Sequence, residues 1–214
     1  MSDTKKRIIV GAAMVAVAAL AVLGEYFGFH AVKYLATIVA IGMVAEMIIC
    51  ILHCPRDTVY KNKFLFGGFL LLLCLVAISA WVVGARPWIM LLLLLTICCA
   101  DIGAWFFGRL IGGDKMWEHV SAHKTWAGQI AGIICGTFAS VMYGLLGADV
   151  FMPQLLWIGI SVSLLSQYGD LTASWVKRKM GLKDFGRILP GHGGLLDRFD
   201  GWIYVLPIIW FVLL

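Results

Sequence analysis

The chain has 214 residues, of which 62% are hydrophobic and only 14% charged, with a formal net charge of +5. A water-soluble domain carries about 25% charged residues and ~45–50% apolar ones, because its exterior must be wetted. The composition excludes an ordinary soluble fold, whereas an exterior facing lipid removes the shortfall of polar surface.

A bilayer core of about 30 Å takes roughly 20 mostly apolar residues as a helix, and a helix satisfies its own backbone polar groups in lipid. Seven segments meet this description: 7–24, 31–53, 64–85, 87–108, 126–147, 153–175 and the short 200–214. The expected fold is an all-α polytopic membrane helix bundle of about seven spans. It is read as one structural domain, with residues 1–100 as an N-terminal transmembrane region and 101–214 as the catalytic one. Lys5, Lys6 and Arg7 precede an alanine-rich apolar run, so a cleaved leader is the alternative for the first span. Pro87 and Pro153 fall at helix starts, where a missing N–H costs little.

Within the second span lies Glu46, an acid with no evident mate in the sequence. It is either neutral and hydrogen-bonded or faces a polar cleft between helices. The six cysteines (50, 54, 74, 98, 99 and 135) lie in or beside apolar runs without disulfide spacing. They read as reduced small hydrophobes.

Lysine and arginine favour the cytoplasmic side of a membrane. With the N-terminus inside, all of the 17 basic residues except Lys33 and Arg86 fall on cytoplasmic segments. The expected location is therefore a cytoplasmic (inner) membrane with the N-terminus in the cytoplasm and the active site on that face.

Two cytoplasmic segments, 101–128 and 167–201, hold most of the polar side chains. A basic loop attracted to anionic lipid explains their lysines and arginines, but not the acids and the glycine-rich turn among them. If the sixth span stays helical, Asp170, Ser174 and Lys177 stand at i, i+4 and i+7 on one face. Asp197 and Asp200, at i and i+3, share a face if the last helix starts near Leu195. Between these acids runs Pro190-Gly191-His192-Gly193-Gly194, where small residues let a backbone approach phosphate oxygens. Hard oxygen ligands suit Mg²⁺, basic groups suit phosphates, and phosphoryl-type transfer needs mainly positioning and charge stabilisation. The residues by themselves point to metal-assisted chemistry on a phosphate compound at the membrane surface.

The run Ser174-Trp-Val-Lys177-Arg178, then Lys183-Asp184-Phe-Gly186, then Leu189-Pro190-Gly191-His192-Gly193-Gly194-Leu-Leu-Asp197-Arg198-Phe-Asp200 closely resembles the motif of the phosphatidate cytidylyltransferases (CDP-diacylglycerol synthases). Upstream, Asp101-Ile-Gly-Ala-Trp-Phe-Phe-Gly108 is similar to the Asp-x-x-Ala-Tyr-x-x-Gly pattern of that family, with Trp105 in place of tyrosine. Ser121-Ala-His-Lys124-Thr125-Trp126-Ala-Gly128 resembles its Ser-Pro-x-Lys-Thr-Trp-Glu-Gly pattern, with Ala122 for proline and Ala127 for glutamate. The likeness covers about residues 101–207, and the chain is shorter than typical members.

The resemblance implies transfer of CMP from CTP to phosphatidic acid, giving CDP-diacylglycerol and pyrophosphate in phospholipid biosynthesis. It implies Mg²⁺ at Asp170, Asp197 and Asp200, with K⁺ as a second cation, and Lys177 and Arg198 beside them in the catalytic set. Ser121, Lys124 and Thr125 would serve the nucleotide. Ser174, Arg178, Lys183 and His192 would contact phosphates, with Asp101, Asp184, Gly193 and Gly194 completing the substrate site. A homodimer in contact with membrane lipid is expected, with no nucleic acid as partner. The alternatives are a CTP-dependent cytidylyltransferase or kinase acting on an ether lipid or polyprenyl alcohol and, remotely, an ion-coupled transporter.

Overall fold

The computed structural model describes residues 3–146, 152–191 and 193–214. Helices dominate: α1 (Asp3–Tyr26), α2 (Ala31–His53), α3 (Arg56–Lys61), α4 (Lys63–Val83), α5 (Pro87–Ile111), α6 (Trp126–Leu145), α7 (Met152–Lys179), α8 (Leu196–Phe199) and α9 (Trp202–Leu213). Among the described residues, five stretches are long and apolar enough to cross a membrane: Ile8–Tyr26, Ala31–His53, Lys63–Val83, Pro87–Ile111 and Trp126–Leu145. They present large apolar side chains outward, among them Ile38, Leu52, Leu71, Ile102, Ile134 and Phe138. That surface is stable against lipid and not against water. The chain is a helical membrane protein.

The remaining two expected spans differ from the first five. α7 has 28 residues, about 42 Å at 1.5 Å per residue, but its serines, Gln167 and Asp170 make it less apolar. α9 has only 12 residues, about 18 Å, which falls short of a 30 Å hydrocarbon core. Its expected beginning, residue 200, is a turn that separates α9 from the four-residue α8. The segment between α5 and α6 holds a small antiparallel hairpin, β1 (Lys115–Trp117) with β2 (Ser121–Thr125).

The described chain forms two compact units: Met1–Pro87 groups with Trp175–Leu214, and Trp88–Ser174 forms the other. In the first, α2 packs on α1 and α4, α4 packs on α9, and α8 rests on α2. Its core contains Met43, Met47, Phe66, Phe69, Leu73 and Ile203, all buried.

The second unit is built by close helix approach at small residues, the usual device where lipid supplies no hydrophobic drive between helices. A Cβ added to Gly128 on α6 would lie 2.7 Å from the Ala104 carbonyl oxygen and 3.1 Å from the Gly108 Cα on α5. One added to Gly159 on α7 would lie 2.6 Å from the Thr137 Cα on α6. Polar side chains bridge the same helices. Ser140 Oγ donates to the Leu155 carbonyl at 2.8 Å, and Gln167 Nε2 donates to the Gln129 carbonyl at 3.3 Å. All six cysteines are free thiols, as expected.

Forcing a side chain into such a crossing costs about 1–3 kcal/mol or more. Gly159→Leu is expected to lower the thermal unfolding midpoint in detergent by roughly 5 °C. Gly67→Leu, on α4 with nothing within 4 Å of its added Cβ, should leave it unchanged, and differential scanning fluorimetry distinguishes the two.

Candidate active site

In the unit formed by Trp88–Ser174, polar residues of the expected site converge through three elements. Thr125 ends β2 and caps α6, its side-chain oxygen accepting the Gly128 N–H at 3.1 Å. Such a cap satisfies one of the donors a helix start leaves open. Gly128 supplies that N–H and also admits the close crossing of α5, which is why threonine and glycine occur three residues apart here. The cap fixes where β2 ends, and Lys124, one residue earlier, reaches α7. Lys124 Nζ lies 2.7 Å from Asp170 Oδ2 and 3.5 Å from the Gln167 carbonyl oxygen. Ser174, one turn beyond Asp170, donates to Asp170 Oδ1 at 3.2 Å. Asp101, on α5, lies within electrostatic reach of both Asp170 and Lys124. Ser121 pairs with Trp117 across the hairpin. The arrangement is a lysine–aspartate pair in which the Asp170 side chain stays 40% exposed.

In the unit that contains Trp175–Leu214, the organising group is Asp197. α7 ends at Lys179, and Gly181 follows with φ +72°. The Leu182 N–H returns to the Lys177 carbonyl at 2.9 Å, a left-handed termination that glycine adopts without steric penalty. Arg178 Nη1 adds a bond to the Leu182 carbonyl at 3.1 Å. The chain then loops back over Lys177. Asp197 Oδ1 accepts from Lys177 Nζ at 2.8 Å, while Oδ2 accepts the N–H groups of Phe185 at 2.8 Å and Gly194 at 2.9 Å.

Both side chains of the Lys177–Asp197 pair are nearly enclosed, at 10% and 5% exposure. Lys177 also sits 5.4 Å from the centre of the Phe185 ring, which stacks on Phe69. Gly193, at φ +88°, and the Leu189 N–H bond to the Gly193 carbonyl at 3.0 Å close the glycine-rich turn. His192 lies outside the described residues.

The residues expected at the site are thus organised in two sets. α7 is unbroken from Met152 to Lys179, so Asp170, Ser174 and Lys177 have the helical spacing read from the sequence. Lys183, Asp184 and Arg198 are exposed on the surface of their loop and of α8, while the Asp200 carboxylate accepts the Gly201 N–H at 2.9 Å. Two groups with a structural part in the site carry no motif signal. Gln167 bridges α6 and supports Lys124, and Glu46 on α2 accepts the Leu196 N–H at 2.8 Å. An acid in the middle of an apolar span was the available clue to the second.

Among the described residues, no cluster of three or more His, Cys, Asp or Glu side chains is placed to hold a metal ion. Magnesium commonly uses one or two carboxylates and completes its shell with substrate phosphates and water, so the relevant test is which carboxylates keep free lone pairs. A carboxylate offers about four acceptor positions. Asp170 uses two of them and is partly exposed; Asp197 uses three and is buried. Asp170 keeps accessible positions suited to a hard cation, whereas Asp197 is committed to its loop.

A family model described as "Cytidylyltransferase family" matches residues 2–214. Proteins named phosphatidate cytidylyltransferase from Staphylococcus saprophyticus and Staphylococcus haemolyticus are each 45% identical to this chain over 116 residues, and one from Staphylococcus aureus is 41% identical over the same length. The matched stretch covers 54% of this chain and 45% of each relative. The chain thus matches under half the length of these curated relatives.

The two lysine–aspartate pairs differ in burial and should respond differently to loss of the lysine. Removing one partner of a buried pair costs about 3–5 kcal/mol, whereas an exposed pair contributes about 0–1 kcal/mol. Lys177→Met is expected to destabilise the protein markedly in a denaturation experiment, and Lys124→Met to leave the unfolding transition within about 1 kcal/mol of the parent.

Proposed function

Since the chain belongs to the cytidylyltransferase family, we propose that it transfers CMP from CTP to phosphatidic acid, giving CDP-diacylglycerol and pyrophosphate. A phosphate oxygen of the lipid attacks the α-phosphorus of CTP, a new P–O bond forms, and the bond to the β-phosphate oxygen breaks with release of pyrophosphate. The lipid phosphate is already anionic near neutral pH, so no strong general base is needed. The difficulty is the approach of two anions, which basic side chains relieve.

The observation that carries this reading is the enclosed pair of Lys177 with Asp197. Asp197 holds together the lysine and both arms of a loop whose sequence matches the family motif. Lys124 is the ammonium group suited to the nucleotide phosphates, set in place by Asp170 and the Gln167 carbonyl. A divalent cation, magnesium, would supply charge neutralisation at the phosphates, with Asp170, whose side chain stays partly exposed, as a carboxylate that retains lone pairs for it. K⁺ is proposed as the second cation.

The active face is proposed to be the cytoplasmic side of a bacterial inner membrane, with the N-terminus in the cytoplasm. The basic residues concentrate on that side in the topology read from the sequence. A homodimer is the proposed assembly.

Purified protein given CTP, phosphatidic acid and Mg²⁺ should produce CDP-diacylglycerol and pyrophosphate in equal amounts, followed by mass spectrometry and a pyrophosphate assay. Asp170→Ala should lower the rate by about 100-fold or more, while chelation should stop turnover and added Mg²⁺ restore it. CDP release with a phosphorylated alcohol as product would replace this reading with a lipid kinase, and an ether-lipid acceptor used in preference to phosphatidic acid would change the substrate.

A further inference from the structure

Glu46 is a buried acid in α2, far in sequence from every residue assigned above, and only 3% exposed. Its Oε2 accepts the Leu196 N–H at 2.8 Å. Leu196 immediately precedes Asp197. Two glycines of the loop, Gly186 and Gly194, lie so close to this carboxylate that a methyl group at either position would overlap its atoms. Neither has a left-handed φ, so their small size is required by the contact and not by the backbone turn. Gly186 and Gly194 directly follow, and directly supply, the backbone groups that matter: Phe185 and Gly194 donate the two N–H bonds to Asp197 Oδ2. One turn along α2, Cys50 Sγ donates to the Phe185 carbonyl at 2.9 Å. A single helical stripe of α2 therefore grips the loop at Phe185–Gly186 and again at Gly194–Leu196.

We infer that Glu46 is a positioning residue for the reaction: its carboxylate is a peg against which Gly186, Gly194 and Leu196 close, and it holds the backbone that orients Asp197 and, through Asp197, Lys177. The inference rests on the cytidylyl-transfer reading for its catalytic consequence but not for its structural one. Reach and an acceptor oxygen are what the peg requires. Oε1 has no hydrogen-bond partner among the described residues, so an uncharged side chain of equal length can take the same place. Aspartate, one methylene shorter, cannot span the gap.

The test uses the full chain in detergent and compares Glu46→Ala, Glu46→Asp and Glu46→Gln by two measurements. Hydrogen–deuterium exchange reports the loop without reference to activity: peptides covering 185–199 should exchange at least about tenfold faster in E46A and E46D than in the parent, and E46Q should stay close to the parent. Steady-state kinetics with CTP, phosphatidic acid and Mg²⁺ should show kcat reduced about 10- to 100-fold in E46A and E46D, KM for CTP changed by less than about threefold, and most of the rate restored in E46Q. If E46A does not fold, the contrast between E46D and E46Q decides. Unchanged exchange in these peptides overturns the peg. Faster exchange with unchanged kcat overturns the positioning role, and an E46Q as impaired as E46D overturns the claim that reach, not charge, is what matters. A parent protein that makes no CDP-lipid would sink the proposed reaction, while the exchange data would still judge the peg.

Discussion

The buried pair of Lys177 and Asp197 is the constraint on which the loop after α7 depends. Two opposite charges in a site from which water is nearly excluded persist only when geometry and surrounding hydrogen bonds offset the loss of hydration. Here the carboxylate accepts one ammonium and two backbone N–H groups, drawn from residues on both arms of the loop. The glycine-rich turn takes its shape from these bonds. A segment rich in glycine has high conformational entropy when unfolded, and a short irregular loop needs several enthalpic anchors to stay in one conformation. Asp197 supplies three of them from one side chain.

The second pair, Lys124 with Asp170, uses the same residue types in a more open setting. Its partners come from β2 and α7, and its oxygen atoms remain partly accessible. The contrast assigns different physical roles to chemically identical pairs: an enclosed pair sets backbone geometry, whereas an accessible one can exchange its partner for a phosphate or a cation. Thr125 illustrates how closely local structure and chemistry are tied. Its side chain is committed to the helix cap at Gly128, so its contribution to the site is first to fix where β2 stops and hence where Lys124 projects.

Much of this was legible in the sequence because hydropathy and helix length are constraints imposed by the bilayer. Five spans could be read from apolar runs alone, and the i, i+4, i+7 spacing of Asp170, Ser174 and Lys177 holds because α7 continues beyond them. What could not be read depends on pairing between distant segments. The hairpin of β1 and β2 occupies a stretch without alternating apolar residues, so period-2 patterning gave no sign of it. The break before α9 follows an ordinary-looking Asp200-Gly201 step. Glu46 stood out as an anomaly, but its partner is the backbone of Leu196, and a backbone N–H leaves no trace in composition. Gly186 and Gly194 were visible as motif glycines, and the reason for their size lies in a carboxylate from a different helix.

The polarity of α7 bears on how the protein reaches the membrane. With Ser161, Ser163, Ser166, Gln167 and Asp170 in one stretch, this helix would partition poorly into hydrocarbon by itself. Part of its polarity is met by α6: the Ser140 hydroxyl of α6 donates to the Leu155 carbonyl of α7, and the Gln167 amide of α7 donates to the Gln129 carbonyl of α6. By contrast, α5 and α6, which precede it in the chain, are each long and apolar enough to cross a membrane. The more polar α7 is therefore better accommodated in lipid beside α6 than by itself, since only there are its Leu155 carbonyl and Gln167 amide given partners.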